Sequence, residues 1–176
     1  KIRPGVVVGA GLAISTVGYL LLTQVQAEGG LALTVTGLSI TWFGFAPSVV
    51  LGTDLVVGTA PPERAGSASA LSETSTELSV ALGIAILGSV GTAVYRSRMD
   101  GTDLPPEAAG PARDSLTGAA DAAGQLPGDV AATVLAPARD AFMAGFGAAS
   151  WVAAGIVATL GVLAVLLLRD VVPTGA

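Results

Sequence analysis

Residues 65–95 read AGSASALSETSTELSVALGIAILGSVGTAVY, and this stretch decides the fold. The prolines of the preceding connector, Pro61 and Pro62, suit the first turn of a helix, so we predict one helix about 46 Å long over residues 65–95. Its first third, with Glu73 and Glu77 among serines and threonines, is too polar to face lipid, whereas its second half is apolar and rich in small residues. The pattern predicts a membrane helix that lines a polar cavity within a bundle.

Three other stretches are as free of charge as the second half of this helix. No charged residue occurs in 4–27, 29–53 or 141–168, and about 20 apolar residues suffice to cross a hydrocarbon layer about 30 Å thick. The composition agrees, with 52% apolar residues, 12% charged residues and a mean hydropathy of +0.74. We therefore predict an all-α integral membrane protein with four transmembrane helices, at about 5–23, 31–57, 65–95 and 141–168, and a tail at 169–176.

The segment 96–140 differs in composition from the four spans. It contains seven acidic residues and five prolines, which predicts a long aqueous loop before the last span. Its alanine content, with breaks at Pro105-Pro106, Gly124 and Pro127-Gly128, suggests two short helices that would form a hairpin.

Lysine and arginine residues near the spans set the expected orientation. Four lie on each side: Lys1, Arg3, Arg64 and Arg169 against Arg96, Arg98, Arg113 and Arg139. Charges in short loops weigh more than charges in a long acidic one. We therefore expect a multi-pass protein of the cell membrane with cytoplasmic termini and an extracellular 96–140 loop.

The first two spans carry packing signals. The pattern Gly5-Val-Val-Val-Gly9 allows another helix to approach closely, and Pro47 should kink the second span. Near that proline, Trp42, Phe43 and Phe45 form an aromatic cluster. The cluster could stack against an organic cation, although aromatic residues in membrane helices more often pack or face lipid.

Glu73 and Glu77 are the sharpest functional signal. They lie four residues apart, so both carboxylates project from one helix face with their Cβ atoms within about 6 Å. Counted from Arg64, they lie about 14 Å and about 20 Å along the helix. An ionised carboxylate inside a bilayer costs at least a few kcal/mol, so the pair should hold a proton, water or a cation. The plainer alternative places both in a cytoplasmic extension of the helix.

Asp54 falls one turn before the predicted end of the second span. An acid near a helix C-terminus opposes the helix dipole, so it should have a basic partner. We expect a structural ion pair between Asp54 and Arg64 or a basic group elsewhere.

The residues missing from the sequence exclude several kinds of chemistry. With no cysteine and no histidine, thiol catalysis, imidazole bases and the usual zinc sites are excluded, and no nucleophile and base pair is visible. A net charge of −5 without a basic patch argues against nucleic acid as a partner. We expect no metal, no cofactor and no enzymatic activity.

The segment 60–90, APPERAGSASALSETSTELSVALGIAILGSV, resembles the loop and penultimate span of the fourteen-spanner drug:proton antiporters of the major facilitator superfamily, the quaternary-ammonium efflux pump type. The four-span layout with a long loop before the last span is similar to the C-terminal end of that family. The resemblance implies that Glu73 and Glu77 serve proton coupling and recognition of cationic drugs, with protons as the coupling ion. It also implies a helical hairpin in the last extracellular loop.

Two functional hypotheses follow. The first is the C-terminal part of a proton-coupled exporter of amphipathic cationic compounds, which works with the remaining N-terminal spans of the same transporter. The second is a non-transporting membrane packing or assembly module with glycine-rich faces. Because transport needs both halves of such a bundle, we expect that these four spans alone do not transport.

Overall fold

The computed structural model describes residues 4–58 and 60–168, with the side chains of all but residues 53–58 and 62. This part of the chain is 87% helical and contains no strand. A 3-10 turn at Pro62–Arg64 precedes the third of six α-helices, which are α1 (Pro4–Leu22), α2 (Leu31–Gly58), α3 (Ala65–Asp100), α4 (Pro106–Asp114), α5 (Leu116–Ala123) and α6 (Gly128–Leu167). Four of them, α1, α2, α3 and α6, are long and apolar enough to cross a membrane, so the predicted fold class is confirmed.

Helices α3 and α6 are longer than the spans predicted within them. Helix α3 continues five residues beyond Tyr95, and α6 begins thirteen residues before Ala141. With 36 and 40 residues they measure about 54 Å and about 60 Å, well above the roughly 30 Å of a hydrocarbon layer. Charges such as Arg96 end the apolar run but not the helix, because water solvates charged side chains on an α-helix at little cost.

Small residues join α1 to α2. A Cβ atom added to Gly18 would lie 2.8 Å from the carbonyl oxygen of Gly37 and 2.7 Å from the amide nitrogen of Thr41. Nearby, the buried Ser15 hydroxyl donates to the carbonyl oxygen of Thr41 at 2.8 Å. The two backbones can approach this closely only because glycine has no side chain.

The Gly5 to Gly9 pattern packs α1 against α6. A Cβ atom on Gly5 would lie 2.8 Å from the Cβ atom of Leu168, and one on Gly9 would overlap the side chain of Val165. The predicted packing role of these two glycines is therefore confirmed.

Helix α2 continues through Pro47. The proline lacks an N–H group, so the carbonyl oxygen of Phe43 loses its helical donor. A bend at this position stays a prediction.

The segment between the apolar parts of α3 and α6 folds into a helical cap. The cap consists of α4, α5, the end of α3 and the start of α6, around a core of Tyr95, Met99, Leu104, Ala108, Ala112, Ala119, Val134, Ala138 and Ala141. The predicted pair of short helices is confirmed, and α4, α5 and α6 respect the predicted breaks at Pro106, Gly124 and Gly128.

The break between α4 and α5 lies at Ser115, which the sequence interpretation did not identify. Ser115 is extended, and its hydroxyl oxygen accepts a hydrogen bond from the amide of Gly118 at 3.0 Å, which caps α5. The Tyr95 hydroxyl donates to the carbonyl oxygen of Ala112 at 2.7 Å and fastens α4 to α3.

Candidate functional site

Glu73 and Glu77 lie in the N-terminal half of α3, in unbroken helix. Both side chains are exposed, as are Thr74, Ser75 and Thr76 between them. We call the set Ser72, Glu73, Ser75, Thr76 and Glu77 the acidic face. The two carboxylates are thus one helical turn apart on a surface that the rest of the described chain leaves uncovered.

Hydroxyl groups around the glutamates bond back to the helix. Thr76 donates to the carbonyl oxygen of Ser72 at 3.0 Å, and Ser79 donates to that of Ser75 at 2.7 Å. These bonds satisfy the hydroxyl protons within α3 and leave oxygen lone pairs available to a proton donor or a cation. A surface of this kind can line a water-filled cavity inside a membrane without breaking the helix.

Helical geometry relates the acidic face to the contact between α3 and α6. Residues 18 apart in a straight α-helix are five full turns apart and point in the same direction. Gly91 is 18 residues from Glu73, and Tyr95 is 18 residues from Glu77. A Cβ atom added to Gly145 of α6 would lie 2.5 Å from the carbonyl oxygen of Gly91. The glutamates therefore continue the α6-facing side of α3, about 27 Å further along the helix.

The aromatic residues of α2 are exposed. Trp42 and Phe43 are 72% and 75% exposed, and Phe45 is 38% exposed. Phe43 borders a groove of about 760 Å³ between α1 and α2, beside Ala10 and Pro47. A role for these three aromatic residues in substrate contact stays a prediction.

The predicted ion pair between Asp54 and Arg64 falls outside the described side chains. Asp54 lies in the last turns of α2, where side chains are not described, and Arg64 is exposed in the 3-10 turn before α3. Within the described residues, the ion pair observed is the one between Arg96 and Asp114, whose Nη2 and Oδ1 atoms are 3.2 Å apart.

Two cavities at the cap end were not predicted. One, of about 980 Å³, lies among the α1–α2 connection, α3 and α6, and its lining includes Glu28, Arg98, Arg139 and Asp140. The other, of about 560 Å³, lies beneath the joint of α4 and α5 and includes Phe142 and Phe146. The four-residue spacing of these phenylalanines was the available sequence signal, since it places both on one face of α6.

The chain is similar to two known exporters. It is 34% identical over 158 residues to the multidrug efflux pump LfrA of Mycolicibacterium smegmatis. The aligned residues cover 89% of this chain and 31% of LfrA. The chain is a homologue of the major facilitator drug exporters. The tetracenomycin C resistance and export protein of Streptomyces glaucescens is 29% identical over 181 residues, which covers 98% of this chain and 34% of that protein.

This major facilitator homologue spans about a third of the length of the curated relatives it matches. No family model and no solved structure matches it. Both relatives are efflux proteins and not enzymes, in agreement with the expectation that the chain has no enzymatic activity. Together with the four membrane-crossing helices, the relatives identify a multi-pass membrane protein.

Proposed function

We propose that this chain is the C-terminal part of a proton-coupled exporter of amphipathic cationic compounds in the cell membrane. The observation that carries the proposal is the exposed carboxylate pair, Glu73 and Glu77, on a helix long enough to cross a membrane. The two relatives, a multidrug efflux pump and a tetracenomycin C resistance and export protein, support drug export as the activity. The remaining spans of the transporter supply the other walls of the site and cover the acidic face.

The proposed coupling follows from the cost of charge in a membrane. An ionised carboxylate there costs at least a few kcal/mol, and a second one a turn away adds repulsion. A proton or an organic cation removes the same negative charge, so each can displace the other. The cation then leaves toward one side of the membrane, and protons taken up from that same side replace it on the same two side chains.

The orientation is also part of the proposal. With cytoplasmic termini, the start of α3 lies at the cytoplasmic side and the helical cap lies outside the cell. A cation entering from the cytoplasm would then meet Glu73 before Glu77, because Glu73 is one turn nearer the start of α3.

Replacement of Glu73 in the protein expressed from its complete reading frame tests the proposal. Glu73→Gln keeps the shape of the side chain but cannot release a proton, so efflux of a cationic dye from cells should be abolished at normal expression. Glu63→Gln, in the 3-10 turn before α3, is the matched control and should retain efflux. Undiminished efflux by Glu73→Gln would contradict the proposal and favour a packing or assembly role.

A further inference from the structure

The cavity beneath the joint of α4 and α5 has the size of a small-molecule site. Its volume of about 560 Å³ falls within the roughly 300–1,000 Å³ common for such sites. Phe142 and Phe146 of α6 form one wall, Leu87 and Tyr95 of α3 form the other, and residues 114–117 form the rim. We call it the aromatic cavity.

Backbone contact between α3 and α6 creates the aromatic cavity. The two helices touch at Gly91 and Gly145, while Gly88, one turn earlier in α3, has no atom within 4 Å of a Cβ position. Space therefore opens beside the contact. Phe142 lines that space and is 46% exposed, so the cavity offers an aromatic side chain that the described residues only partly cover.

The rim of the aromatic cavity carries an exchangeable negative charge. Asp114 is a lining residue of the cavity, and its carboxylate pairs with Arg96 at 3.2 Å; the side chains of Asp114 and Arg96 are 73% and 57% exposed. An ion pair this exposed contributes little stability, so another cation can replace Arg96 at small cost. Aromatic faces and a nearby carboxylate are the groups that recognise an organic cation.

We propose that the aromatic cavity is a second binding site for lipophilic organic cations, at which the ligand replaces Arg96 beside Asp114. The class of ligand rests on the proposed function. The site is separate from the glutamates, because Leu87, its lining residue nearest to them in α3, is about 15 Å along the helix from Glu77. In the proposed orientation the acidic face lies nearer the cytoplasm and the cavity nearer the outside, so a cation exported along α3 would pass the glutamates before the cavity.

The two partners of the ion pair give opposite predictions. Asp114→Asn removes the attracting carboxylate and should weaken binding of tetraphenylphosphonium by roughly three- to tenfold, whereas Arg96→Gln removes the competing cation and should strengthen it by roughly two- to fivefold. Both changes break the same ion pair, so a purely structural role predicts shifts in the same direction. Asp121→Asn, at an exposed position on α5, is the control and should leave binding unchanged.

Binding is measured by equilibrium dialysis on the purified complete protein that already carries Glu73→Gln and Glu77→Gln. In this background the bound cation is expected to occupy the aromatic cavity and not the acidic face. Phe146→Ala should weaken binding by roughly two- to tenfold. Each variant is used only if its melting temperature in the same detergent matches that of the double-glutamine protein. If Asp114→Asn unfolds, the binding affinities of Arg96→Gln and Phe146→Ala test the proposal.

Three results would overturn the second site. The first is a change of the binding affinity in the same direction for Asp114→Asn and Arg96→Gln, and the second is no bound cation in the double-glutamine background. The third is displacement of the cation by short-chain phosphatidylcholine at equal concentration, which would assign the cavity to lipid head groups. None of these three results tests the role of Glu73, which is tested by the dye-efflux assay. Normal efflux by Glu73→Gln would remove the proposed function without changing the binding result.

Discussion

The two ends of α3 differ in what surrounds them. At the N-terminal end, Glu73 and Glu77 are exposed, and the Thr76 hydroxyl between them bonds back along the helix. At the C-terminal end, Tyr95 and Met99 are buried in the cap, and Gly91 contacts α6. Within the described residues, one continuous helix therefore joins a packed end at the cap to an open, exposed polar end at the acidic face.

The two ends of α3 should also differ in membrane topology, because the proposed orientation places the start of α3 at the cytoplasmic side and the cap outside the cell. Ser67 lies at the open end, whereas Ser115 lies in the cap, and the chain contains no cysteine that would interfere with labelling. Ser115→Cys in intact cells should react with an impermeant maleimide, and Ser67→Cys should react only after the membrane is permeabilised. The reverse pattern would invert the proposed orientation and contradict the direction of export.

Glycine replacements in the packed and the exposed parts should differ in their effect on the stability of the protein. Gly145→Ala would place its Cβ atom 2.5 Å from the carbonyl oxygen of Gly91, whereas Gly83→Ala meets no atom within 4 Å. Overpacking of this kind costs about 1–3 kcal/mol, so Gly145→Ala should lower the melting temperature of the purified protein by several degrees. Gly83→Ala should leave it nearly unchanged. An equal loss for both would show that another helix of the complete protein packs against Gly83.

The sequence predicted the four spans because long uncharged runs are rare outside membranes, and residues 4–27 and 141–168 make that signal clear. It did not predict how far α3 and α6 extend into water, because charges limit insertion but not helix formation. The acidic face could be located from the spacing of Glu73 and Glu77 alone. The aromatic cavity could not, since Phe146 and Leu87 become neighbours only after α3 packs on α6.

The carboxylates at the open end should differ in substrate preference. Loss of one of two adjacent charges matters most where two ligand charges must be matched, so Glu77→Gln should reduce export of divalent dyes by about tenfold and of monovalent dyes by less. Glu73→Gln should lose both classes. Efflux assays with matched monovalent and divalent dyes measure this difference. Equal losses in both variants would mean that the two glutamates act as one unit and have no separate roles.

The smallest effect is expected at the packed end, where a single hydrogen bond fastens the cap. Tyr95→Phe removes the donor to the carbonyl oxygen of Ala112 but keeps the ring in the core of the cap. A hydrogen bond of this type contributes about 1 kcal/mol, and the Ala112 carbonyl then stays buried without that donor. Hydrogen exchange should therefore quicken roughly fivefold in α4 and α5 and stay unchanged in α1, which does not contact α4 or α5. Faster exchange along the open half of α3 as well would show that the packed end holds the acidic face in place.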